Sequence, residues 1–225
     1  MPLAQGAAAA PPALPVVAAF DFDGTLTRRD TLLPFLARAL GWPRLLGALL
    51  VCSPYLAAYA LRLLPNHVAK RRLLAATLAG RSTADLGLAA AQYQAHDLPG
   101  QYRSWTLDRL HWHQAQGHHC VMVSASLDVY LAPVAAQLGC VALLCTEMAT
   151  AGGKLTGQMR TPNCHGEQKV LRLTAWLAER FGSSNGAAGG PAGGVELYAY
   201  GDTAGDKPML RMADHAWYRG KVWTG

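Results

Sequence analysis

Two carboxylates separated by one residue, Asp21 and Asp23, stand in the string Asp21-Phe22-Asp23-Gly24-Thr25-Leu26-Thr27, directly after the apolar run Val16–Phe20. Both can serve one site if the chain bends there, and Gly24 permits the bend. Phosphoryl transfer needs an in-line nucleophile, a cation to neutralise phosphate charge and an acid for the leaving group. Asp21 can be nucleophile and metal ligand, and Asp23 the acid that later activates water. Taken alone, such a pair serves equally well as a strand-terminal turn with solvated carboxylates.

Three further stretches carry the same kind of chemistry. Ser124 follows the apolar Cys120-Val121-Met122-Val123, Lys169 closes Cys164-His165-Gly166-Glu167-Gln168-Lys169, and Asp202 and Asp206 share Gly201-Asp202-Thr203-Ala204-Gly205-Asp206. Each has a plainer role open to it: a turn serine, a solvated helix lysine, and for Asp206, two residues before Pro208, a helix N-cap. Their placement argues for more. Four short β-type runs, at 16–20, 119–123, 140–145 and 195–200, alternate with helical stretches, the pattern of parallel strands buried on both faces. Three of the four deliver Asp or Ser at the carboxyl end, where ligands collect in such sheets.

The elements that must position these residues follow from spacing. About a hundred residues separate the first two runs, far more than one crossover helix requires. Residues 30–110 are rich in Leu, Ala and Arg and read as an inserted helical cap, with helix boundaries at Gly41, Pro54, Pro65, Gly80 and Pro99-Gly100. Residues 16–29 and 111–225 form the α/β core, and the Ala- and Pro-rich residues 1–15 a disordered leader. A helix is predicted over 163–181, with Val170, Leu173, Trp176, Leu177 and Phe181 on one face, and a flexible surface loop over 182–194.

The string DFDGTLT resembles the first motif of the haloacid dehalogenase superfamily, and stretches similar to its other motifs follow in order over residues 16–218. The resemblance implies an α/β fold, a three-layer Rossmann-like parallel-sheet core with an inserted helical cap of type C1. It implies a Mg²⁺-dependent phosphatase working through an aspartyl-phosphate on Asp21, with Asp23 as general acid and base. Ser124, Lys169 and Gly24 would hold the phosphate. The metal would be held by Asp21, Asp202 and the backbone carbonyl of Asp23, with Asp206 in support; a carboxylate-rich oxygen site suits Mg²⁺. The helical cap is similar to that of the phosphoserine phosphatase-like subfamily IB, and Asn163–Lys169 and Tyr198–Asp202 resemble its phosphatidylglycerophosphatase C-type branch. Ala125 and Gly205 depart from phosphoserine phosphatases, which place glycine and asparagine there.

The substrate expected is therefore a small phosphorylated metabolite such as phosphoserine, or a phospholipid head-group phosphate such as phosphatidylglycerophosphate. Asp30, Arg71 and Arg72 are candidates for reading it, although Asp30 also suits an N-cap for a helix over 31–40. Two alternatives stay open: transfer to an alcohol instead of water, and a catalytically silent membrane-associated regulatory module.

Composition bounds the partners. The 225 residues carry 20 Lys and Arg against 14 Asp and Glu, a formal +6 that favours anionic ligands. The densest basic cluster is only Lys70-Arg71-Arg72, so nucleic acid is not expected. Five cysteines without a CxxC pair, and a leader lacking a basic signal-peptide region, point to the cytoplasm. Residues 45–61 carry no charge; Ser53-Pro54 predicts two buried cap helices there, and exposure would instead make the stretch an anchor at the inner face of a membrane. His111, His113, His118 and His119 match no zinc spacing and are expected as polar surface residues.

Overall fold

Val17 and Ala19 point to one face of the first strand and Ala18 and Phe20 to the other, and all four are fully buried. A strand dry on both sides needs a layer on each. The computed structural model describes residues 14–182 and 194–225. Most of the expected leader and of the loop over 182–194 therefore lies outside the described residues.

The strands are β1 (Val16–Phe20), β2 (His119–Leu127), β3 (Ala142–Thr146), β4 (Met148–Ala151), β5 (Lys154–Met159), β6 (Glu196–Gly201), β7 (His215–Tyr218) and β8 (Lys221–Val222). Six of them form one sheet in the order β3-β2-β1-β6-β7-β8. Every ladder in it is parallel except the β7–β8 hairpin at the edge, so the fold is α/β with a mostly parallel sheet. β4 and β5 make a separate antiparallel hairpin. Helices α1 (Leu32–Leu40), α2 (Trp42–Ala60), α3 (Asn66–Leu78), α4 (Thr83–Gln92) and α5 (Ser104–Ala115) lie between β1 and β2; α6 (Asp128–Gln137), α7 (Glu167–Phe181) and α8 (Lys207–Arg211) follow.

One apolar layer joins Val17, Ala19, Val121 and Val123 to Leu173 and Leu177 of α7 and to α8. The other runs from Ala18 and Phe20 through α6 into α1, α3 and α4. The inserted helices thus share a core with the sheet. Phe35 of α1 stacks on Tyr130 of α6 at 4.5 Å, and Tyr93 meets both rings edge-on. Large aromatic surfaces locked together in this way hold the insert over the sheet.

Three expectations are corrected. Pro54 does not divide the apolar stretch: α2 runs unbroken from Trp42 to Ala60. A proline removes one helical hydrogen bond and crowds the preceding turn, but Pro54 lies on the exposed side, where water can take up the freed carbonyl. Nor is the stretch buried. Only Leu45 and Cys52 of α2 are buried, whereas Leu50 is 74% and Val51 72% exposed, because α2 packs on its neighbours from one side and nothing among the described residues covers the other. The histidines, finally, are not all at the surface. α5 turns His113 onto the sheet, fully buried, where its Nε2 lies 2.8 Å from Tyr200 Oη and its Nδ1 2.8 Å from His118 Nδ1. His111 stays exposed.

Candidate active site

The backbone leaves the sheet one residue at a time. Asp21 still donates its N–H to Tyr200 O at 3.0 Å, and the chain then reverses at Gly24, whose φ is +81°. A Cβ on Gly24 would stand 2.3 Å from Asp202 Oδ2, so glycine is required twice over, for its dihedral and for the close approach of the neighbouring strand end. Asp202 follows β6 and accepts from Thr25 Oγ1 at 3.1 Å. Asp206 folds back beneath it, its Oδ2 accepting from the N–H groups of Asp202 and Thr203 and from Thr203 Oγ1. This arrangement resembles a cap, yet Asp206 Oδ1 remains turned inward.

Oxygens of Asp21, Asp202 and Asp206 all lie within 4.8 Å of one another. A single buried cation answers them. Lys169, near the start of α7, donates to Asp21 Oδ1 and to Asp206 Oδ1, both at 2.6 Å, and to Val123 O at 2.9 Å. Burial works against its charge, but the two carboxylates outweigh it and hold the ammonium well above its ordinary range. Asp21 is pushed far up by burial and by Asp206 and Asp23, with Lys169 only partly offsetting them. Asp202 is raised by burial and by Asp206. Asp206 is penalised by burial yet ends below its usual value, because Lys169 and Thr203 donate to it. Three carboxylates facing one lysine leave excess negative charge in a dry place, and a hard divalent cation would relieve it. The donor set, all carboxylate oxygen, fits Mg²⁺.

Asp23 turns away from that cluster. Its Oδ1 accepts from Thr31 N–H at 2.7 Å and Thr31 Oγ1 at 2.6 Å, and its Oδ2 accepts from Ser126 Oγ. Thr31 Oγ1 in turn meets Tyr130 Oη at 2.9 Å. Burial and the nearby Asp30 raise Asp23 to about 6, against the pull of these donors. Asp30 stands one residue before Thr31, which holds the N-cap position of α1 in its place; it accepts from Leu32 N–H at 3.0 Å, and its side chain also borders the cavity described next. Ser124 is fully buried within β2, where its Oγ accepts from Ser126 N–H at 3.0 Å.

Asp21, Asp23, Asp206 and Lys169 open into a cavity of about 540 Å³ between the sheet and the inserted helices. Of the basic triplet in α3, Lys70 enters it. Its Nζ donates to Asn163 Oδ1 at 2.9 Å and to Ala125 O, and burial lowers it to about 8. Arg71 and Arg72 are exposed; Arg72 lies over the Tyr55 ring at 5.0 Å, and Arg71 borders a different hollow. The arginines named from sequence as substrate readers therefore stand outside this cavity. Sequence reasoning also passed over Ser126, Thr31 and His165. The His165 ring occupies the space a Cβ on Gly205 would need, 2.1 Å from it, so the departure from asparagine at 205 makes room for an imidazole in the cavity wall. A helical face assignment for α3 was the one sequence signal that could have singled out Lys70.

The model of the haloacid dehalogenase-like hydrolase family matches residues 18–211. Protein CicA of Caulobacter vibrioides is 33% identical over 207 residues, covering 91% of this chain and 86% of that protein. Among solved structures, a protein with unknown function from Bordetella pertussis Tohama I superposes with a TM-score of 0.76 at 25% identity, over 91% of this chain and 89% of the other. A substrate-bound phosphoserine phosphatase complex superposes with a TM-score of 0.61 at 16% identity, over 91% and 85%, a likeness of fold.

Proposed function

Because the chain belongs to the haloacid dehalogenase-like hydrolase family, we propose that it is a Mg²⁺-dependent phosphatase that carries the phosphoryl group of its substrate on Asp21. Its enzyme class is phosphoric monoester hydrolase. The reading is carried by one observation: a buried carboxylate, Asp21, lies between a charged lysine and two further carboxylates, with a fourth of raised pKa two residues away.

Asp21 Oδ attacks phosphorus and the ester P–O bond breaks. Asp23, which holds a proton to about pH 6, gives it to the departing alkoxide. Asp23 then takes a proton from water as that water attacks the acyl-phosphate, the P–O bond to Asp21 breaks, and inorganic phosphate leaves. Asp21, Asp202 and the backbone carbonyl of Asp23 would hold Mg²⁺, with Asp206 in support, and the bound ion supplies neutralisation of the phosphate charge. Lys169 favours the ionised form of Asp21 against burial and faces the same charge. Ser124, within β2, and Gly24, at the turn after β1, would help hold the phosphate. Lys70 supplies a positive wall on the substrate side, and the helical insert excludes bulk water.

Asp21→Asn should lower Mg²⁺-dependent hydrolysis of p-nitrophenyl phosphate by at least about a thousandfold, since a neutral amide cannot form the intermediate. Retained turnover in that variant would exclude Asp21 as the nucleophile.

A further inference from the structure

One face of α2 has nothing against it among the described residues. Leu46, Leu50, Pro54, Ala57 and the C-capping Leu61 recur every three or four residues, with Val51 beside them, and all are exposed. A single exposed leucine needs no explanation, but a continuous apolar stripe of this length does. Trp42, 63% exposed, stands at its start. No helix among the described residues is long and apolar enough to cross a membrane.

Charge indicates what could cover the stripe. Between Asp30 and Asp85 the chain holds no carboxylate at all, yet it holds Arg38, Arg44, Arg62, Lys70, Arg71, Arg72 and Arg81. The rest of the chain has thirteen Lys and Arg against fourteen Asp and Glu, so the protein's entire positive excess sits on residues 31–84, the stretch that holds α1, α2 and α3. Arg44 lies in the first turn of α2 and Arg62 just beyond its end, both exposed, bracketing the stripe. An apolar strip framed by arginines matches an anionic lipid surface, whose head groups attract the charges and whose acyl boundary accepts the leucines. Nucleic acid would use the arginines and leave the leucines in water.

The same helix borders the catalytic cavity. Leu56 and Tyr59, on its other side, line that cavity with Leu32, Ala69 and Leu73, an apolar wall opposite the carboxylates. We propose that α2 lies on the surface of an anionic bilayer, and that the cavity takes a phosphomonoester carried on a lipid from that surface. The docking half stands alone; the substrate half rests on the phosphatase reading above.

Vesicles of phosphatidylcholine, alone or mixed equally with phosphatidylglycerol, test the docking. The full-length protein should sediment with the mixed vesicles and stay in solution with the neutral ones. Leu50→Glu, at an exposed position, should lower the bound fraction about tenfold while leaving p-nitrophenyl phosphate turnover unchanged. A wild-type protein that hydrolyses p-nitrophenyl phosphate but ignores anionic vesicles overturns the docking and leaves the phosphatase reading intact. A Leu50→Glu-sensitive dimer without vesicle binding also overturns it, giving the stripe to a second copy. For the substrate, phosphatidic acid in the mixed vesicles should be turned over at least tenfold faster than free glycerol 3-phosphate, and Leu50→Glu should erase that preference. Equal rates would refute the substrate half; binding without turnover of any phosphomonoester would instead refute the phosphatase reading.

Discussion

At the scale of single residues the site is a contest between burial and charge. Burial drives Asp21, Asp23 and Asp202 toward their neutral forms, and among the described residues Lys169 is the one buried cation that ion-pairs with the cluster. Lys70 donates to Ala125 O and Asn163 Oδ1 and is pushed down to about 8 by burial, which outweighs the pull of Asp23 and Asp30. It carries its charge below that pH and loses it above. The KM for p-nitrophenyl phosphate should therefore climb as pH rises through about 8. Lys70→Met should raise KM about tenfold at neutral pH, the loss of one charge-assisted contact, and should remove the alkaline rise. Steady-state kinetics across pH on both proteins checks this; an unchanged KM in the variant would take Lys70 out of substrate binding.

At the scale of elements, the packing of α5 on the sheet has a consequence for stability. His113 is carried into the core, where burial, His118 and Arg109 lower it from 6.5 to about 4. The unfolded chain takes up the proton first. Between those two values the unfolded state binds more protons than the folded one, so stability is lost as pH falls through that window and holds level below it. The loss is on the order of 3 kcal/mol. Urea midpoints measured across the window should fall with acid in the wild type and change much less in His113→Phe, even though that variant starts lower because Tyr200 loses its partner. Helix α2 behaves in the opposite way. It keeps its helical form through Pro54 and exposes its apolar side, because nothing among the described residues packs over it.

At the scale of the whole molecule, the site exists only where the sheet and the insert meet. The sheet supplies Asp21, Asp202, Asp206 and, through α7, Lys169; the insert supplies Lys70 and the apolar wall. The aromatic contact of Phe35, Tyr93 and Tyr130 fixes the two against each other. Because the crowded carboxylates repel one another, an ion that binds them stabilises the folded state alone. Mg²⁺ at a hundredfold excess over its Kd should stabilise the protein by roughly 2.7 kcal/mol, and a chelator should reverse the gain. Asp202→Asn should abolish that Mg²⁺-dependent rise in thermal midpoint. A midpoint insensitive to Mg²⁺ in the wild type would count against the metal site.

Much of this was legible in the chain itself. Apolar runs ending in Asp21 and Gly201-Asp202 marked parallel strands delivering carboxylates to one edge; Ser124, expected at the end of its strand, instead lies within β2, which continues to Leu127. Helix ends at Gly41, Pro65 and Gly80 were readable from the backbone limits of glycine and proline. What the chain could not disclose was which side of each helix meets another layer. Lys70 and Arg71, or His111 and His113, differ by a fraction of a turn, and only the packed neighbour determines which enters the protein and which meets water. The same holds for residues 45–61: an uncharged helix is equally consistent with burial and exposure, and the choice was made by the tertiary structure, in which no other described residue covers its outer face.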